Sequence, residues 1–200
     1  MKTIIEVGAH GGEDTERMLD GGLNRVFAFE PFPEMMGRLQ KKFQDHESFM
    51  PVTMAVDLES GWRWFNLGRT GEGETGISSL YEIDPSAPDR WQGMTSTFGD
   101  RVKVMTTRLD EFVLSRGIDR IDYLWVDAQG NDFRVLQSLG DEISRVQAGR
   151  CEAAYRMELY ADASNQYREI VAWLEARGFE VAIVPDGSFM ETDVHFRRRA

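Results

Sequence analysis

The sequence predicts an α/β domain on a doubly wound, mostly parallel sheet, with helices on both faces and one antiparallel strand near the C-terminus. Three observations carry this expectation. Strand-type apolar runs alternate with helix-type periodic segments along nearly the whole chain. The first run breaks on a glycine turn that opens into a helix, and an acid closes the second run. At 200 residues and 22.9 kDa the chain fits one domain, long enough to bury roughly 70% of its unfolded surface without metal or disulfide.

The elements follow in order. Thr3–Val7 is a short apolar strand ending at glycines, and Glu13–Leu19 opens with the acids that suit a helix N-terminus. Arg25–Phe29 is a second buried-type strand. Pro33–Phe43 has proline near its start and Met36, Leu39 and Phe43 at helical spacing. Phe49–Val56 reads as a third strand, and Trp62–Leu67 alternates as an edge strand or hairpin. From Gly68 to Gly99 the pattern lapses: Gly68, Gly71, Gly73, Gly76, Gly93 and Gly99, with Pro85 and Pro88, mark a loop-like stretch. A loop that long in a compact domain is functional or mobile, so the segment at about 68–100 reads as a lid. Strands are expected at Val102–Met105, Ile121–Val126, Glu152–Tyr160, Phe179–Val184 and Thr192–Phe196, with helices at Leu109–Leu114, Asn131–Leu139 and Gln166–Arg177.

Composition excludes several classes. The net charge of −11 argues against a nucleic-acid partner, which wants clustered positive charge. The basic run Arg197-Arg198-Arg199 reads as a solvated tail. Cys151 is the sole cysteine, so no internal disulfide forms, and no apolar run approaches 18 residues. The start carries no signal-type apolar region. The expected compartment is the cytosol, with no membrane partner.

The most informative segment is Glu6-Val7-Gly8-Ala9-His10-Gly11-Gly12-Glu13, where a buried strand runs through a glycine turn into a helix. Such a turn lets backbone approach a ligand, and the helix start presents free N–H groups. Eighteen residues past Gly12, at the tip of the second strand, Glu30 is placed to accept hydrogen bonds from ribose hydroxyls. The spacing is not the G-x-G-x-x-G of a dinucleotide site, and a carboxylate at Glu6 repels a pyrophosphate. It suits a ligand with an ammonium group, and S-adenosylmethionine ranks above NAD.

The motifs Glu6-Val7-Gly8-Ala9-His10-Gly11-Gly12, Phe27-Ala28-Phe29-Glu30-Pro31 and Ile121-Asp122-Tyr123-Leu124-Trp125-Val126-Asp127-Ala128-Gln129-Gly130-Asn131-Asp132-Phe133 together resemble the FkbM family of methyltransferases. Ile77-Ser78-Ser79-Leu80, Thr107-Arg108-Leu109-Asp110-Glu111-Phe112 and Gly178-Phe179 extend the likeness in the same order. The resemblance implies a Rossmann-like fold, S-adenosylmethionine as cofactor, and O-methylation of a small-molecule or glycan hydroxyl. It implies that Glu6 and Gly8, Ala9, His10, Gly11 and Gly12 hold the methionine end of the cofactor and Glu30 its ribose. It puts Pro31 and Phe32 against the adenine, with Ala55, Val56 and Asp57 beside it. Asp127 is implied near the transferred methyl, and Ser78 and Ser79 in the loop over the site. The chain departs from the family's usual residues at His10 (Asn or Asp), Trp125 (Lys), and Gln129 and Asp132 (both Glu).

The catalytic candidates are Asp127, Glu158 and His10. Asp127 ends an apolar strand where ligand crevices form, or else caps the next helix. Glu158 shares a strand face with Arg156 and Tyr160, which reads as a structural Arg156–Glu158 pair or as an acid facing substrate. His10 carries an imidazole, a side chain that can take the proton released when a hydroxyl is methylated. Asp127, Asn131, Asp132 and Glu158 carry the oxygens a hard divalent cation takes, but no metal is expected. Two rival readings stand beside methyl transfer: a module that holds the cofactor without turnover, and a nicotinamide-dependent oxidoreductase on the same fold.

Overall fold

The architecture grows from β1 (Lys2–Val7), whose Thr, Ile and Val side chains are buried along most of its length. β1 pairs in parallel with β2 (Asn24–Phe29) on one side and with β7 (Tyr123–Val126) on the other. The computed structural model describes residues 1–20, 22, 24–69, 76–87, 97–184 and 190–199. With β3 (Phe49–Val52), β8 (Ala148–Ala154), β9 (Phe179–Val184) and β10 (Glu191–Arg198), these strands form a seven-stranded sheet in the order β3-β2-β1-β7-β8-β10-β9. All neighbours are parallel except β10, which runs antiparallel to both β8 and β9. The doubly wound sheet and its antiparallel strand are therefore as expected.

Alternate residues of β1 and β2 feed two cores. Ile5, Val7, Phe27 and Phe29 face α3 (Leu109–Ser115), α4 (Asp132–Gln137) and α5 (Tyr167–Glu175), whose Phe112, Leu136 and Ile170 join the same cluster. Ile4, Val26 and Ala28 face α1 (Glu13–Asp20) and α2 (Pro33–Lys42) through Leu19, Met36 and Leu39. Glu6 lies on this second face. It is 1% exposed and accepts a 2.6 Å hydrogen bond from the Thr15 hydroxyl of α1. Burial pushes its carboxyl from the ordinary 4.5 up to about 7.

Four expectations change. The third strand splits: β3 stays in the main sheet, while β4 (Ala55–Val56) joins a separate three-stranded sheet with β5 (Gly61–Arg69) and β6 (Thr97–Thr107). Pro51 is tolerated because β3 is an edge strand, and the chain leaves the sheet just beyond it. Gly99 lies inside β6, so strand structure resumes earlier than the glycines imply; Gly71, Gly73, Gly93 and Pro88 lie outside the described residues. The run Glu152–Tyr160 is strand only to Ala154, because the Ala154 N–H turns to Asn165 and the chain bends away. The helix expected at Asn131–Leu139 is confined to Asp132–Gln137, followed by a 3-10 turn at Gly140–Arg145.

Asp57 fastens the small sheet to the large one. It is fully buried, and its carboxylate pairs with Arg63 of β5 and, at 2.7 Å, with Arg134 of α4. Asp57→Ala should leave two arginines without their anion and cost roughly 2–4 kcal/mol in urea unfolding. An unchanged midpoint would show that the clamp is dispensable. Glu6 gives a second expectation. The folded protein holds the Glu6 proton more tightly than the unfolded chain, so the acid's contribution to stability falls as pH rises from about 4.5 to about 7 and is level above that. Between pH 4.5 and 7.5 the parent should lose roughly 3 kcal/mol more than Glu6→Gln. Parallel stability curves for the two proteins would refute it.

Candidate active site

A cavity of about 220 Å³ opens at the carboxyl ends of β1, β2, β4 and β7. This is where a doubly wound sheet reverses direction and splays its loops apart. The turn after β1 is tied to both neighbours. The Gly8 and Ala9 N–H groups donate to the Phe29 carbonyl at 3.0 and 2.9 Å, and the Asp127 N–H donates to the Val7 carbonyl at 2.9 Å. Gly8 has φ +92°, and a Cβ there would stand 1.8 Å from the Asp127 carbonyl oxygen. The glycine is thus demanded by the next strand's backbone.

Of the residues expected at the site, Gly8, His10, Glu30, Pro31, Phe32, Ala55, Val56 and Asp127 line the cavity. Ser78 lines it too, with Gly76 and Leu80 from the glycine-rich segment. Glu30 is 6% exposed; its carboxylate accepts the Phe32 N–H at 2.8 Å and the His10 N–H at 3.1 Å. Two oxygens with one bond each retain acceptor capacity. Burial pushes this carboxyl up to about 7 against those two hydrogen bonds.

Glu6, Ala9, Gly11, Gly12, Asp57, Ser79 and Glu158 are not among the lining residues. Glu6 is held under α1 and Asp57 between two arginines, as described. Gly12 abuts Leu39 and Phe43. The Ser79 hydroxyl donates to the Gln129 carbonyl at 2.7 Å, behind the cavity wall. Glu158 lies beyond the end of β8, where its carboxylate accepts the Asn165 N–H at 2.8 Å and the Gln166 side chain at 3.2 Å. The strand ends at Ala154, so no strand face aligns Glu158 with Arg156 and Tyr160. Asn131 and Asp132 likewise have their own partners: Asn131 Nδ2 donates to the Val56 carbonyl at 2.7 Å, and Asp132 accepts the Ala128 and Gly130 N–H groups. Among the described residues, no group of three His, Cys, Asp or Glu side chains is arranged to hold a metal.

Asp127 faces the cavity and sits in a knot of acids. Its carboxylate accepts from Gln129 Nε2 at 2.7 Å, and the same nitrogen reaches Glu152 at 3.2 Å. Burial raises the Asp127, Asp132 and Glu152 carboxyls; the Asp127 charge raises Asp132 and Glu152 further, and Asp14 and Asp193 raise Asp127. Against this, Gln129 and the Arg150 guanidinium favour ionised Asp127. Arg150 lies over the Trp125 ring at 4.1 Å and pairs with Asp193 at 2.7 Å.

Sequence reasoning missed the roles of Gln129, Glu152 and Asn131. Gln129 has φ +50°, and the Gln-Gly pair after an apolar strand was a usable signal for such a turn. Glu152 is an acid inside an apolar strand run, a pattern that asks for a partner. Asn131 lines the cavity, and its Oδ1 is buried with no hydrogen-bond partner among the described residues. Nothing in the sequence distinguishes that from a helix cap.

Residues 6–181 match the methyltransferase FkbM domain. The chain is similar to the 2-O-methyltransferase NoeI of Sinorhizobium fredii, at 25% identity over 137 residues that cover 66% of this chain. Those residues cover 55% of that protein, so the chain spans about half the length of this curated relative. Among solved structures it is similar to an rRNA methylase from Streptococcus thermophilus, with TM-score 0.53 and 15% identity over 100% of this chain and 87% of that one. It is also similar to Aeropyrum pernix fibrillarin in complex with S-adenosyl-L-methionine, with TM-score 0.53 and 14% identity over 98% of this chain and 66% of that one. At such identities the structural likeness speaks to fold alone, whereas the family match spans most of the chain. The chain belongs to the FkbM family of S-adenosylmethionine-dependent methyltransferases.

Proposed function

We propose that this protein transfers a methyl group to a hydroxyl oxygen of a small molecule or glycan, with the cofactor held in the cavity at the ends of β1, β2, β4 and β7. One observation carries the reading: the cavity wall holds two carboxylates, Glu30 and Asp127, and no Lys or Arg among its described residues. Such a wall suits a ligand with positive charge and repels a pyrophosphate, so it favours S-adenosylmethionine over NAD.

The residues present fit the cofactor's parts. Glu30 has lone pairs left for two ribose hydroxyls. Phe32, Met54, Val56 and Leu80 give apolar surface for a flat ring, and the buried Asn131 Oδ1 is an acceptor with no donor among the described residues. Once bound, the cofactor supplies an electrophilic methyl on a sulfonium. Asp127 stabilises positive charge at that point and can orient the acceptor hydroxyl or take its proton. His10, in the same wall, is the other proton acceptor. Most of the acceleration comes from holding the two reactants in line. The segment carrying Gly76, Ser78 and Leu80 belongs to the lid, and the cytosol is the compartment that a lone buried cysteine supports. Among the described residues, no helix is long and apolar enough to cross a membrane.

The oxygen acceptor is supported by the likeness to a 2-O-methyltransferase, and a non-nucleic-acid acceptor by the net charge of −11. A panel of saccharides, phenols, amines and RNA, read by mass spectrometry, is expected to yield methyl ethers of a saccharide or phenol. Methylated RNA or a methylated amine as the sole product would overturn the assignment. In calorimetry, S-adenosylhomocysteine should bind and NAD should not. Glu30→Ala should weaken that binding at least tenfold with the fold intact, since each charge-assisted bond to ribose is worth about 1.5–3 kcal/mol. Unchanged affinity would place the ribose elsewhere.

A further inference from the structure

Gln129 is the residue that joins the acids at the cavity to the elements around them. Its Nε2 donates to Asp127 at 2.7 Å and to Glu152 at 3.2 Å. Its Oε1 is 2.7 Å from the Tyr160 hydroxyl, and its backbone carbonyl accepts from Ser79 at 2.7 Å. An ionised carboxylate can only accept, so with Asp127 ionised the amide turns its NH₂ to Asp127 and its oxygen to the Tyr160 hydroxyl. The reverse orientation would set a carbonyl oxygen against the ionised Asp127 carboxylate. Tyr160 is 3% exposed and packs where a side chain at Gly130 would be, a Cβ there falling 2.6 Å from its ring. The Gln129 backbone holds φ +50°, a conformation a non-glycine residue adopts at a cost that its surroundings must offset. Ser79, Tyr160 and the two carboxylates supply that fixation.

We propose that Gln129 is a positioning residue for Asp127: its amide, locked by Tyr160, fixes the Asp127 carboxylate as a hydrogen-bond acceptor directed to the cavity. This deepens the reading above and rests on it, because Asp127 matters only if a sulfonium lies beside it. The titratable and charged groups around the pair are Glu6 of β1, Asp14 of α1, Asp132 of α4, Arg150 and Glu152 of β8, Tyr160, and Glu191 and Asp193 of β10. Most of these are acids, so without the amide the proton is retained on Asp127 to higher pH.

The test compares two ligands that differ at one charge. S-adenosylmethionine carries a sulfonium; S-adenosylhomocysteine has a neutral sulfur in its place. Their affinity ratio, measured by calorimetry from pH 5 to 9, reads the charge on Asp127, while shared contacts cancel. In the parent the preference for the sulfonium should rise with pH. In Gln129→Met the midpoint of that rise should move up by at least one pH unit, with S-adenosylhomocysteine affinity within threefold of the parent. Tyr160→Phe should move it the same way by less, which keeps the proposal testable should Gln129→Met fail to fold. An unmoved midpoint in these variants overturns the proposal, as does an equal loss of both affinities. A parent ratio independent of pH removes Asp127 from the sulfonium and overturns it too. A parent that binds neither ligand overturns the cofactor reading itself.

Discussion

The parallel pairing of β1 with β2 and β7 is the constraint from which the site follows. It brings the ends of three strands together, and the turn after β1 is then bonded to both neighbours. Gly8 and Ala9 spend their N–H groups on the Phe29 carbonyl, just before Glu30, and Val7 receives the N–H of Asp127. Neither acid can drift without breaking sheet-type hydrogen bonds. The 1.8 Å that separates a hypothetical Gly8 Cβ from the Asp127 carbonyl shows how tight the crossing is. The glycine that looks in the sequence like a cradle for a ligand is first a requirement of strand packing. The cradle is a consequence, since a turn pulled down onto two strands leaves the space above it open.

The same crossing concentrates negative charge. Glu6, Glu30, Asp127, Asp132 and Glu152 lie buried or half-buried near the ends of the central strands, and burial raises every one of these carboxyls. Backbone amides, Thr15, Gln129 and Asn165 soften the cost, yet few cations among the described residues approach. Arg63 and Arg134 are committed to Asp57, and Arg150 to Asp193 and the Trp125 ring. A site that holds its arginines one layer back leaves these acids without a full counter-charge, which favours their protonated forms, and a cationic ligand shifts them toward the ionised form on binding.

Much of this was legible in the sequence, and the exceptions have physical causes. Periodicity revealed the order of strands and helices, because parallel strands buried on both faces read as continuous apolar runs. Glu30 and Asp127 were legible as acids ending such runs, a position few soluble strands fill without purpose. The small sheet was hidden because β4 is two residues long and directly continues the pattern of β3; only long-range pairing with β6 separates them. Glu158 was misplaced because the alternation of Arg156, Glu158 and Tyr160 mimics a strand, while the Asn165 carbonyl captures the ladder at Ala154. The family resemblance implied an adenine contact for Asp57, and the two arginines paired with it lie 6 and 77 residues away, beyond any local pattern.

These corrections change how the glycine-rich insertion relates to the site. It is anchored by strand pairing at its two ends, with Asp57 clamping β5 to α4. Its inner stretch reaches the acids through two bonds: the Ser79 hydroxyl to the Gln129 carbonyl, and the Tyr160 hydroxyl, which lies 3.1 Å from the Ile77 carbonyl and 2.7 Å from Gln129. The same few atoms therefore hold the segment over the cavity and the amide that faces Asp127. A displacement of residues 77–79 would disturb these bonds to Gln129 and Tyr160 together with the Ser79 backbone bonds to Asn66. The bonds that seat residues 77–79 and the bond that orients Asp127 thus meet at one pair of side chains, Gln129 and Tyr160.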